Sequence, residues 1–154
     1  MFNIDEILNI AIQLEKNSEA IYREAADKVS GPDIAATLRW MADEEVKHAQ
    51  WFDSLRNTAT IKPDISSLEN LNGDFLKSII GNQSFSLDDI DFGDIQQVSD
   101  LLGVFIESEK DGILFYEMLM PFIREESTRT MLEHIISEEK NHIKMLEGHK
   151  APED

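Results

Sequence analysis

EEVKH at 44–48 recurs as EEKNH at 138–142, and EKNSEAIY at 15–22 recurs as EKDGILFY at 109–116. Both matches keep one offset, 94 residues, from 44 to 138 and from 15 to 109. Each half therefore carries a Glu and, thirty residues later, a Glu-x-x-His: Glu15 with Glu45 and His48, then Glu109 with Glu139 and His142. One Glu-x-x-His means little in a chain with 31 acidic residues. Two of them, each preceded by a Glu at matched distance, form a metal-binding pattern.

Working outward, the apolar residues around these motifs follow helical periodicity in four long stretches. The first runs through Ile4, Leu8, Ala11, Glu15, Ser18, Tyr22, Ala25 and Val29. The second gives Ile34, Leu38, Met41, Glu45, His48, Phe52 and Leu55. The third gives Val98, Leu102, Phe105, Glu109, Gly112, Tyr116 and Leu119, and the fourth Thr128, Leu132, Ile135, Glu139, His142 and Leu146. Alternating steps of three and four define one face of a helix, the inward seam of a bundle. All six motif residues lie on those seams, near mid-helix. They point into the core.

Buried carboxylates must be protonated, paired or bound to cations, because a bare charge in a low-dielectric interior is costly. No Lys or Arg lies on the seams near those levels. Two divalent ions would balance four Glu, with both His bound as neutral imidazoles. A dinuclear metal site is the least costly account of this core.

The expected fold is an all-α, antiparallel four-helix bundle: two helical hairpins joined by a long crossover, in one domain over 1–154. Ser30 is the expected N-cap of the second helix, with Pro32 in its first turn, and Pro121 should end the third helix. The crossover, roughly residues 57–96, is rich in Asp, Asn, Ser and Gly, and Phe75, Leu76, Ile79 and Ile80 suggest a short helix at 74–80. A disordered linker is the competing reading of that stretch.

Composition excludes several classes. With 14 basic against 31 acidic residues, the formal charge is −17, and no basic stripe offers itself to nucleic acid or an anionic membrane surface. No apolar run reaches the ~18–20 residues of a membrane span. The chain has no Cys, so disulfides, thiolate zinc sites and Cys-ligated clusters are out. No targeting segment is apparent, and a cytoplasmic location is expected.

These residues resemble the ferritin-like diiron-carboxylate proteins, and among them the rubrerythrins. The resemblance covers both hairpins, and its motifs speak to fold and site more than to reaction. It implies two iron ions per chain, with manganese the alternative. Glu15 and Glu109 would be terminal carboxylates, Glu45 and Glu139 would bridge, and His48 and His142 would each complete one metal. Two departures matter: many rubrerythrins end in a Cys-ligated rubredoxin domain, and many carry an extra Glu where this chain has Gly112.

The remaining residues divide as follows. Tyr22 and Tyr116 either hydrogen-bond a ligand carboxylate or serve as core aromatics. Ser18 and Gly112 either leave room for dioxygen or peroxide or simply let helices pack closely. His134, His149, Glu19, Glu44, Glu107 and Glu138 are expected at the surface. Trp40 and Trp51 are expected against the crossover or a subunit partner. The implied activity is reduction of hydrogen peroxide or dioxygen with electrons from an external donor such as a rubredoxin or a flavoprotein. The alternative is an iron-binding ferroxidase for storage or buffering. A homodimer is the expected assembly.

Overall fold

The computed structural model describes residues 4–56, 58 and 86–152. Among them are four α-helices, α1 Ile4–Lys28, α2 Pro32–Ser54, α3 Ile95–Leu119 and α4 Glu126–His149, with one 3₁₀ turn at Met120–Phe122. The expected helix at 74–80 and most of the crossover lie outside the described residues.

Local chemistry sets the helix ends. Asp5 and Glu6 in the first turn of α1 and Lys28 in its last complement the helix dipole. The N-cap of α2 is Gly31, in extended conformation, rather than Ser30, and no side chain caps it. Pro32 explains the shift: it occupies the first helical position, where its missing N–H costs nothing, and leaves Ser30 one residue too early. α3 starts three residues before the first seam residue, because the Asp94 carboxylate accepts from the Gln96 and Gln97 amides at 2.9 and 3.3 Å. Pro121 falls in the 3₁₀ turn that follows α3, as its chemistry requires.

The seams are buried as the periodicity implies, and the core divides into two apolar clusters. One gathers Leu8, Ala11, Phe52, Leu119, Leu132 and Ile135; the other gathers Tyr22, Ala25, Leu38, Met41, Leu102, Phe105 and Leu146. The first therefore joins the start of α1, the end of α2, the end of α3 and the start of α4. The second joins the opposite ends. Within each hairpin the helices run antiparallel, while α2 and α3 run parallel. Leu55 belongs to the first cluster and Leu87 to the second, so these two residues lie about a helix length apart, ~35 Å at 1.5 Å per residue. Between the two clusters lies one polar layer: Glu15, Glu45, His48, Glu109, Glu139 and His142, all buried.

Candidate metal centre

One side chain from α1, one from α3 and two each from α2 and α4 meet in this layer. The three-residue step from Glu45 to His48, and from Glu139 to His142, puts both members of each pair on one helical face. Two overlapping sets result. Glu15, Glu45, His48 and Glu139 bring one ligand atom each to within 4.8 Å of one another; Glu45, Glu109, Glu139 and His142 do the same. Glu45 and Glu139 belong to both sets, which is the placement that bridging carboxylates require. His48 Nδ1 lies 2.7 Å from Glu139 Oε1 and 3.5 Å from both Glu15 Oε2 and Glu45 Oε1. His142 Nδ1 lies 3.2 Å from Glu139 Oε2 and 3.3 Å from Glu45 Oε1.

Six buried atoms of this layer have no hydrogen-bond partner: Glu15 Oε2, Glu45 Oε1, both Glu139 oxygens, and Nδ1 of His48 and His142. Buried polar atoms are normally satisfied, and a cluster of orphans converging on two points is what cation sites look like without their ions. The donor set is oxygen-rich with one imidazole per set and no thiolate, which fits iron or manganese. The residues present fit a dinuclear centre.

The outer atoms of Glu15, Glu109, His48 and His142 are engaged, and each partner comes from the other hairpin. Tyr116 donates its hydroxyl to Glu15 Oε1 at 2.6 Å, and Tyr22 donates to Glu109 Oε1. His142 Nε2 meets Glu44 Oε1 at 2.9 Å, and His48 Nε2 meets Glu138 Oε2 at 3.2 Å. Because a carboxylate accepts, each Nε2 carries an N–H, and in the neutral ring each Nδ1 is left with a lone pair facing the carboxylate layer. The two imidazoles stack with centroids 6.3 Å apart.

Charge in the layer is strongly coupled. Burial, then the Glu139 carboxylate, raises Glu15, Glu45 and Glu109 above the usual carboxylate range. Burial also opposes charge on Glu139, yet the adjoining Glu109 carboxyl and the His142 and His48 rings hold it well below that range. Burial opposes charge on the two His as well. Glu139 and Glu15 around His48, and Glu109 and Glu139 around His142, nevertheless push each up to about 11. The pocket thus seeks positive charge, and protons and metal cations compete for the same atoms. Both Tyr hydroxyls are driven up by burial and by the carboxylates they face, so they remain neutral donors.

Several residues depart from the surface roles expected of them. Glu44 and Glu138 are partly buried partners of the two His, not solvated carboxylates. The clue was in the repeat, since EEVKH and EEKNH each carry a Glu one position before the motif Glu. Trp40 is edge-on to the His142 ring, centroids 5.7 Å apart, rather than held by the crossover or a partner alone. Trp51 packs on Phe52 at the rim of the first cluster. His149 is half-buried, with Nε2 3.0 Å from Thr37 Oγ1. His134 is exposed but reaches Glu138 Oε1 at 2.6 Å. Glu19 is half-buried and pairs with Arg23 at 2.8 Å, whereas Glu107 is exposed beside Lys110.

A cavity of about 10 Å³ adjoins the carboxylates on the α1–α3 side, lined by Glu15, Glu45, Glu109, Glu139, Ser18, Ser108 and Gly112 among others. It holds roughly one water-sized molecule. A Cβ added at Gly112 would meet nothing within 4 Å, so the missing side chain is part of that space.

A rubrerythrin family model matches residues 6–78. No curated protein sequence matches the chain significantly. A crystal structure from Thermotoga maritima, described as a ferritin-like diiron-carboxylate protein, superposes with a TM-score of 0.67. That superposition spans 97% of this chain and 95% of the other at 23% identity. The expectation of no membrane span also stands among the described residues, where no helix is long and apolar enough to cross a bilayer. Over residues 6–78 the chain is thus similar to rubrerythrins, and over nearly its whole length it shares the ferritin-like fold of the Thermotoga protein, in keeping with its paired Glu–His layer.

Proposed function

We propose that the protein is a nonhaem diiron redox protein that reduces hydrogen peroxide or dioxygen with electrons from a separate donor protein. The observation that carries this reading is the pair of four-residue sets sharing Glu45 and Glu139, with six unpartnered buried atoms directed at two points. In this reading Glu15, His48 and the two shared Glu hold one iron, and Glu109, His142 and the same shared Glu hold the other. Four carboxylates and two neutral imidazoles match the four positive charges of a diferrous pair, so the buried layer becomes neutral. When bound, such a pair supplies the two electrons that a peroxide takes up on reduction to water.

The chain's own residues set the conditions. Glu44 and Glu138 fix the imidazole tautomers that leave Nδ1 free for metal. Tyr22 and Tyr116 hold the terminal carboxylates by one oxygen each, leaving the other to turn inward. Apolar clusters above and below the layer keep bulk water out. The small space beside Gly112 and Ser18 adjoins the carboxylates and is where a small oxidant would approach them.

Metal analysis and the visible spectrum of protein purified without added metal test the reading, followed by peroxide mixing. Iron in both positions, oxidation of the diferrous protein by peroxide, and sustained peroxide consumption only with an added donor are expected. Loss of most metal from both positions is expected in Glu45→Ala with Glu139→Ala, and full metal content in that double variant would overturn the ligand set. Slow oxidation by peroxide with quick uptake of excess ferrous iron would replace the redox reading by iron storage or buffering.

A further inference from the structure

The 94-residue repeat fails at an informative place. Glu44 corresponds to Glu138 and His48 to His142, but one turn earlier Trp40 corresponds to His134. Both of these residues reach the surface of the α2–α4 face, and each lies over a different histidine of the layer. His134 approaches His48 only through Glu138. Trp40 touches His142 directly, edge-on, with centroids 5.7 Å apart. His142 is fully buried while the Trp40 side chain is 44% exposed, so one aromatic contact connects solvent to the innermost imidazole of the site.

Resting on the redox reading above, we propose that Trp40 is the docking anchor and entry point for electrons from a one-electron carrier protein. Each encounter oxidises the donor by one electron and delivers it through the indole and the His142 ring, and two encounters complete a reduction. The oxidant's space lies on the opposite side, between α1 and α3, so donor and oxidant do not compete for one opening. A half-exposed Trp is the residue type that anchors protein interfaces. The chain's charge of −17 favours a donor whose contact surface is neutral or basic. A second aromatic path exists, Trp51 to Phe52 to Tyr116 and on to Glu15, with ring centroids 5.1 and 5.0 Å apart and a 2.6 Å hydrogen bond. It needs three steps where the Trp40 path needs one.

The test compares wild type, Trp40→Leu, Trp40→Phe and Trp51→Leu, each loaded with iron and assayed for metal content. Adding iron to wild type and to Trp51→Leu should quench Trp40 emission, since the indole rests against a proposed ligand; undiminished emission overturns the contact. Reduced rubredoxin is the probe for the donor, with dithionite as a small reductant that needs no docking site. Loss of an anchoring Trp should weaken rubredoxin binding and slow its electron delivery by about tenfold or more in Trp40→Leu. Dithionite reduction and oxidation by peroxide should stay at wild-type rates, and Trp40→Phe should recover part of the loss. Equal rubredoxin rates in wild type and Trp40→Leu, or a loss confined to Trp51→Leu, overturn the proposal and leave the redox reading standing. If wild type itself accepts no electrons from either reductant, the redox reading falls and this proposal with it.

Discussion

The two hairpins agree at the Glu and His of the polar layer and at the groups that hydrogen-bond to them, and differ where a side chain meets solvent or empty space. Glu15 and Glu109, Tyr22 and Tyr116, Glu44 and Glu138, and His48 and His142 are equivalent pairs. Each residue that supports a Glu or His of the layer comes from the other hairpin. Neither hairpin can therefore satisfy its own buried groups. Crossed support ties the halves together through directional bonds, where the two apolar clusters alone would tolerate sliding. Trp40 against His134 and Ser18 against Gly112 break the pattern, on opposite faces of the layer. The Glu–His layer is symmetric between the halves, while access to it is unequal.

The largest expected effect sharpens the equivalent part of that comparison. Removing Glu44 or Glu138 by alanine substitution leaves the opposite His Nε2–H without an acceptor and its tautomer unfixed. Lost outer partners of this kind cost about 10–100-fold in metal affinity. Glu44→Ala should weaken the set containing His142, and Glu138→Ala the set containing His48, measured by competition with a coloured chelator. Glutamine at either position keeps an acceptor oxygen and should recover most of the affinity. If Glu44→Ala weakened only the His48 set, the crossed arrangement would be wrong.

Tyr22→Phe and Tyr116→Phe come next and should be alike. Each strips one donor from a buried carboxylate oxygen, worth about 1–3 kcal/mol of stability by denaturant unfolding. A large loss in one variant and none in the other would break the equivalence of the halves at the residues where the sequence repeats most closely.

Much of this was legible in the sequence because the polar residues occupy seam positions. A Glu or His where a Leu would fit has to be explained, and four Glu with two His in register leave few explanations. Glu44 and Glu138 were not legible, since they lie one residue, or about 100° of helix, off the seam, where an acidic residue looks solvated. Only the closeness of α2 to α4 turns that flank into an interior. Trp40 was hidden in the same way. Gly31 took the cap from Ser30 because proline geometry outranked side-chain capping, and Asp94 was masked by the polar run before it.

Acid and base act with opposite signs on loaded and chelated protein. Glu15, Glu45, Glu109, His48 and His142 all have values raised by the fold, with both His at about 11. In chelated protein their contribution is fully present below the unfolded values, about 4.5 for Glu and 6.5 for His. It is lost as pH rises through the folded ones. Glu139, held low, contributes the reverse and is outnumbered. Metal binding displaces those protons, so its stabilisation grows with pH. The melting temperature of chelated protein should fall from about pH 6 to about pH 9, while the gap to loaded protein widens. A gap that is constant over that range would mean that protons and metal do not share these atoms.

The smallest effect probes the unequal part. Gly112 stands mid-helix opposite Ser18, and an added Cβ meets nothing within 4 Å. Glycine in a helix interior costs about 0.5–1 kcal/mol relative to alanine through the freedom of the unfolded chain. Gly112→Ala should therefore raise stability by that amount without strain. Ser18→Ala begins with a Cβ already in place and should gain only a few tenths of a kcal/mol from its better helix propensity. The alanine methyl at 112 also enters a space of about 10 Å³, so oxidation of the reduced protein by peroxide should slow while metal affinity stays unchanged. A stability gain with no change in oxidation rate would show that peroxide reaches the layer from elsewhere. A loss of stability would mean that the space is needed by the fold itself.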